Sequence, residues 1–226
     1  MSHFMQILLA FSFVLACIPN AASAFAPAAP SRAAAEASPV KLRILAAAHE
    51  HEDLIQTALK QVGDEDAAGQ PRVARVVDKK TGRAIADWVR VDDAVKEMLA
   101  NDKTVVTREA SIDGDEVLEV LVIIDRWGIT GADFAESSAV VDSVGQPCVQ
   151  FQMTIAGEER FAELTKAFLP KQNGDGFKLG IVVDGRLISA PRIQSIIRSA
   201  AQISGNFSKR EVDDLVDRLN RPKPAN

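Results

Sequence analysis

A mixed α+β fold, with sheet and helix in two layers, is predicted for this 226-residue chain by three features. Val40, Leu42 and Ile44 alternate with Lys41 and Arg43, and Val149, Phe151, Met153 and Ile155 alternate with Gln150, Gln152 and Thr154. A period of two marks a strand with one buried face. Between such runs, Leu54, Ile55, Ala58 and Leu59, and later Phe161, Leu164, Thr165 and Phe168, recur at helical spacing. Turn residues at Asp78–Gly82 and at Asp113-Gly114 separate apolar runs that read as hairpins. A content of 47% hydrophobic and 25% charged residues is enough to build a core and excludes a disordered chain.

Other classes are excluded by simple counts. A formal net charge of -5 provides no basic field for nucleic acid or anionic lipid. Two cysteines, Cys17 and Cys148, make neither a disulfide framework nor a thiolate metal site. The three histidines all lie at or before His51, so the rest of the chain lacks the commonest general base.

Residues 1–24 carry no Asp, Glu, Lys or Arg, and Ile7 to Ile18 is an apolar run of about a dozen residues, short for a bilayer span. Ala22-Ser23-Ala24 supplies a small-x-small cleavage site, so 1–24 reads as a signal peptide and the rest as exported to the periplasm or cell envelope. A second reading takes Val14-Leu15-Ala16-Cys17 as a lipobox, with Cys17 lipidated and the chain held at the membrane through that anchor. Residues 25–39 are rich in Ala and Pro and form a linker.

A base-like α+β region is expected over 40–144. It opens with the strand at Val40 and continues with a helix through Leu54, Ile55, Ala58, Leu59 and Val62. Val73–Val77 and Ile85–Val91 form the first hairpin, Ala94 to Leu99 a short helix after Asp92-Asp93, and Val105–Ala110 with Val117–Ile124 the second hairpin. A second unit is expected over 145–207. There the strand from Val149 leads to a helix stopped by Pro170, then to a buried strand Leu179–Val183 that turns at Asp184-Gly185 into Leu187-Ile188. Pro191 is placed to start a helix whose apolar stripe is Ile193, Ile196 and Ile197. Ser208 and Glu211 form a capping box for a helix over 208–220, with Phe207 and Val212 as the hydrophobic staple and 221–226 as a polar tail.

From Gly145 to Leu219 the chain resembles the periplasmic domain of SecD. The resemblance is carried by Gly145-Gln146-Pro147, by Phe161, Leu164 and Thr165, by Ile181-Val182-Val183-Asp184-Gly185, by Ile188-Ser189-Ala190-Pro191, and by Ile203-Ser204-Gly205-Asn206-Phe207 before the capped helix. Ile129 to Phe134 looks like the family's lead-in to its head subdomain, and Leu42 to Ala46 is a weaker echo of its base. The resemblance implies a ferredoxin-like base with an inserted α+β head that contacts unfolded or newly exported polypeptides and works with Sec translocon components. The sequence ends without the membrane bundle that couples a proton gradient to head movement, so the motor role is not carried over. Over about residues 65–125 no motif can be quoted for the resemblance.

The chemistry of sites is sparse. His49 and His51 stand about 200° apart on a helix and lack an identifiable third ligand. Gly174, Gly176 and Gly180 precede a strand instead of joining a strand to a helix, which is the wrong context for a phosphate cradle. Asp113, Asp115 and Glu116 are accounted for by a turn, Ser189 by a cap before Pro191, and Cys148 by burial. Neither a catalytic residue nor a cofactor is expected. The function expected is a non-catalytic polypeptide-binding module accessory to export, with the Ile193, Ile196 and Ile197 face as contact surface. The alternatives are an envelope domain with one fixed protein partner and a secreted metal-dependent hydrolase using His49 and His51.

Overall fold

A computed structural model describes residues 40–61, 74–112, 114–170, 176–204 and 207–220. The expectations for the signal segment, Cys17, Ala22, Ala24, the linker, Gly205, Asn206 and the tail lie outside the described residues. In order, the elements are β1 Val40–Leu45, α1 Glu52–Lys60, β2 Arg75–Val77, β3 Ala84–Val91, α2 Asp93–Ala100, β4 Thr107–Ile112 and β5 Asp115–Ile123. A single 3-10 turn, Gly131–Asp133, leads to β6 Phe134–Val141 and β7 Pro147–Met153. After these come α3 Ile155–Ala167, β8 Leu179–Val183, β9 Arg186–Ser189, β10 Ala200–Ile203 and α4 Lys209–Leu219.

The class is α+β, as the periodicities require. Seven strands pair in the order β2-β3-β9-β8-β1-β5-β4, and β3 also pairs with β5. This extra pairing closes β3, β9, β8, β1 and β5 into a ring, a closure that the sequence reading of a two-layer base did not specify. Closure is possible because β3 and β5 are long. One edge of β3 takes β2 along Ala84–Asp87 and then β9 at Arg90 and Val91, while one edge of β5 takes β4 up to Val120 and then β1 at Val122 and Ile123. The β3–β9 pair is parallel and the other pairs of the ring are antiparallel.

Alternation then sorts the side chains. Leu45, Val91, Val120, Val122, Val182 and Leu187 form one buried cluster, closed by Leu99 of α2. A Cβ on Gly180 would stand 2.5 Å from Leu45 Cδ1 and 2.8 Å from Leu187 Cδ1, so this glycine is a packing requirement of the ring. The opposite faces of β1 and β8, Leu42, Ile44, Ile181 and Val183, pack with Phe161 and Leu164 of α3 and with Val212, Leu215 and Leu219 of α4. A third cluster sets Ile55 and Ala58 of α1 on Val76, Trp88 and Leu121.

A separate three-stranded antiparallel sheet has the order β10-β7-β6. Its inner face gives Val149, Phe151 and Met153 to the α3–α4 cluster, while Gln150 and Gln152 are exposed on the outer face. The division expected at residue 144 is not observed. β8 and β9 complete the ring begun by the first half, and β6, from before that boundary, pairs with β7.

Both expected hairpins form, and the turns of the second hairpin and of β8–β9 use positive φ at Gly114, Asp184 and Gly185. The final capping box is present: Ser208 Oγ accepts from Glu211 N, and Glu211 Oε2 accepts from Ser208 N at 2.7 Å, a device worth about 1 kcal/mol. Two departures involve helices. Ile155, assigned to the strand's apolar face, is instead the first residue of α3 and is 88% exposed, because Thr154 caps the helix by accepting from Gly157 N. No helix follows Pro191.

Candidate polypeptide-contact surface

The segment after Pro191 is extended because partners elsewhere take its backbone groups. Pro191 O accepts from Leu179 N, Ile193 N donates to Phe177 O, and Arg192 bridges Lys178. Ile197 N donates to Thr165 Oγ1 at 3.0 Å, while that hydroxyl donates to Phe161 O at 2.8 Å. Local i to i−4 bonds lose to these long-range ones. The expected contact face is corrected accordingly: Ile193 and Ile197 are buried in the main cluster, and Ile196 alone is half-exposed. The three isoleucines do not form one surface.

The remaining family-motif residues are structural. Phe161, Leu164 and Thr165 are fully buried, and Ile203 and Ala190 are buried. Ser189 lies buried in β9, paired with Ile181, instead of capping a helix. Asp184 and Gly185 form the β8–β9 turn, and Asp184 pairs with Arg218 of α4. Phe207 is half-buried against the cluster that contains Val212. Cys148 is buried, accepts from Gln202 Nε2 at 2.9 Å, and has its thiol pushed up by burial and by the neighbouring Asp142.

The histidine pair is spread apart in use. His51 Nδ1 accepts from Ala47 N at 2.9 Å and its ring lies against Phe177, while His49 is exposed. Among the described residues, no three His, Cys, Asp or Glu side chains gather as a metal site. Gly180 belongs to β8 and to the ring's interior, not to a phosphate loop.

Strand edges are the more informative feature. Two of the four outer edges are occupied by carboxamide side chains that imitate a neighbouring strand. Asn220, the cap residue of α4, accepts from Ser137 N at 3.0 Å and donates to Ser137 O at 2.7 Å, which closes β6. Gln61, just after α1, accepts from Val77 N at 3.0 Å and donates to Val77 O, which closes β2. The outer edges of β4 and β10 have no such partner among the described residues.

These two open edges differ. On β4, Arg108 is drawn over the Trp88 ring, 4.2 Å from its centroid, and binds the fully buried Glu119 at 2.6 Å. β10 borders a polar face of Gln150, Gln152 and Ser138, on which Glu136 stands opposite Gln152. Since Met153 N donates to Ser199 O, alternation turns the N–H and C=O of Ala200 and Gln202 away from β7, along the outer edge of the sheet. Sequence reasoning missed β6 and β10, Gln61 and Asn220. The one available signal was Asn220 at the end of the α4 pattern, a residue type common at helix C-termini.

No helix among the described residues is long and apolar enough to cross a membrane. The family model SecDF, P1 head subdomain matches residues 90–221. The chain is 38% identical over 87 residues to the protein translocase subunit SecD of Aquifex aeolicus, covering 38% of this chain and 16% of that protein. Against the corresponding subunit of Rickettsia prowazekii it is 27% identical over 158 residues, 70% of this chain and 29% of the relative. The chain thus spans less than a third of the length of these relatives. A solved structure of SecDF in its super-membrane-facing form aligns over 85% of this chain and 30% of its own, at 20% identity and a TM-score of 0.38. A family match that covers more than half of the sequence places the chain in the SecDF P1 head subdomain family.

Proposed function

We propose that this protein is a non-catalytic, extracytoplasmic polypeptide-binding module accessory to protein export, and that a client segment pairs as an added strand on the outer edge of β10. The observation that carries the reading is the contrast among edges: carboxamides close β6 and β2, while β10 offers outward N–H and C=O groups at Ala200 and Gln202 beside a polar face. Main-chain pairing is indifferent to client sequence, as a module that meets many unfolded chains requires. The relatives it resembles are protein translocase subunits, which supports unfolded or newly exported chains and Sec translocon components as partners. A module that must release its client gains nothing from tight binding, so dissociation constants are micromolar or weaker, about -8 kcal/mol at most.

The test is in-cell crosslinking from a photo-reactive residue at position 202, with position 116 at the far end of the seven-stranded sheet as control. Many unrelated exported chains together with translocon subunits, captured from 202 and not from 116, are expected. Ala200→Pro removes one outward donor without touching the β7 ladder and should abolish capture while the circular dichroism spectrum is retained. Capture of a single folded envelope protein would replace this reading with that of a domain serving one fixed partner.

A further inference from the structure

A groove of about 330 Å³ runs between α4, the β8–β9 hairpin and the start of α2. It lies on a different element set from the β10 edge. Its floor is apolar, made by Val183, Ile188, Phe207 and Leu215. Its rim is acidic. Asp184 is neutralised by Arg218, but Asp92, Glu211 and Asp214 remain against the guanidinium of Arg186.

The rim carboxylates are held in place by the fold. Asp92 Oδ1 accepts from Ala94 N as the cap of α2, and Glu211 Oε2 is fixed by the backbone N–H and hydroxyl of Ser208. These bonds also hold the Glu211 carboxyl below its usual range, so it stays anionic in mild acid. Asp214 is exposed one turn further along the same helix face. Asp92 is held to its helix through Oδ1 and Glu211 through Oε2.

We infer that this groove binds a polypeptide segment in which an aliphatic side chain is flanked by Lys or Arg, the aliphatic group on Val183 and Leu215 and the cation among Asp92, Glu211 and Asp214. The excess of carboxylates over guanidiniums selects a basic segment over an acidic one, and the apolar floor excludes a free metal ion as the occupant. This is a second, sequence-selective contact, independent of the sequence-tolerant edge pairing at β10.

The experiment is fluorescence anisotropy with two labelled hexapeptides, one alternating leucine with lysine and arginine, the other carrying glutamate in place of each cation. The basic peptide should bind at least about five-fold more tightly than its acidic twin and lose affinity as salt rises. Asp214→Lys, at an exposed position of α4, should weaken the basic peptide about five-fold and leave folding intact. Ala200→Pro should not change it, so failure of the edge reading and failure of this one are distinguishable. Equal binding of the two peptides, or no effect of Asp214→Lys, overturns the proposal. Binding that emerges only after the chain is shortened beyond Asn220, or a groove occupied by a second copy in sedimentation, overturns it in favour of the chain's own basic tail or a dimer.

Discussion

The five-stranded ring and the three-stranded sheet solve the same problem in opposite ways. The ring satisfies its strands by closing on itself, and its attached β2 edge is sealed by Gln61. The small sheet stays open, seals one edge with Asn220 and leaves the other at β10. The difference teaches where adaptability resides. Closure leaves the five ring strands paired on both sides, and the proposed contact surface is an edge left unpaired on a smaller layer that packs with α3 and α4.

The largest effects should come from the ring side. Glu119 is fully buried with Arg108 as partner, so Arg108→Ala leaves a carboxylate in the interior and should cost about 3–5 kcal/mol, read by urea denaturation. Breaking the attachment of the small layer comes next. Thr165→Val strands the buried N–H of Ile197 and should cost about 1–3 kcal/mol while leaving the ring's amide protection unchanged. Loss of protection across the ring as well would mean that the two regions are one cooperative unit.

Asn220→Ala opens the second edge of the small sheet. The expected cost is about 1–2 kcal/mol, together with concentration-dependent self-association through the exposed β6 edge, measured by light scattering. A strictly monomeric variant would show that the carboxamide is a helix cap and nothing more.

The smallest effect concerns pH. Burial pushes the Asp125 carboxyl up, although the N–H groups of Gly128 and Trp127 and the charge of Arg43 work against it. With its folded pKa above the unfolded one, the native state binds more protons, so this group's stabilisation is present in acid and is lost as pH rises through the folded value. Asp125→Asn should therefore flatten the pH dependence of the urea midpoint on the alkaline side of the ordinary carboxylate range and leave stability in acid nearly unchanged. An unaltered slope would contradict the assignment.

What was legible in the sequence was what local chemistry decides. Asp113-Gly114, Asp184-Gly185 and the Ser208–Glu211 box mark turns and a helix start, and β7 alternates cleanly. What was hidden depends on distant partners. Ile193, Ile196 and Ile197 copy a helical stripe, yet Phe177, Leu179 and Thr165 claim the backbone there. In β6 and β10 the β-branched residues are confined to the C-terminal ends, Val140, Val141 and Ile203, behind runs of Ala, Ser, Glu and Gln, so pairing with β7 defines the strands. The ring rests on a parallel contact between β3 and β9, about a hundred residues apart, which no local period encodes. The candidate site was legible least of all, because an open edge is defined by which strands lack a neighbour.

The most direct test of the account is hydrogen exchange at the outward amides of Ala200 and Gln202, with and without a saturating unfolded client. Strong protection of these two amides on client addition, with Ser137 unchanged behind Asn220, is the predicted result. A bound client that leaves both amides exchanging at their free rate would contradict strand addition at β10.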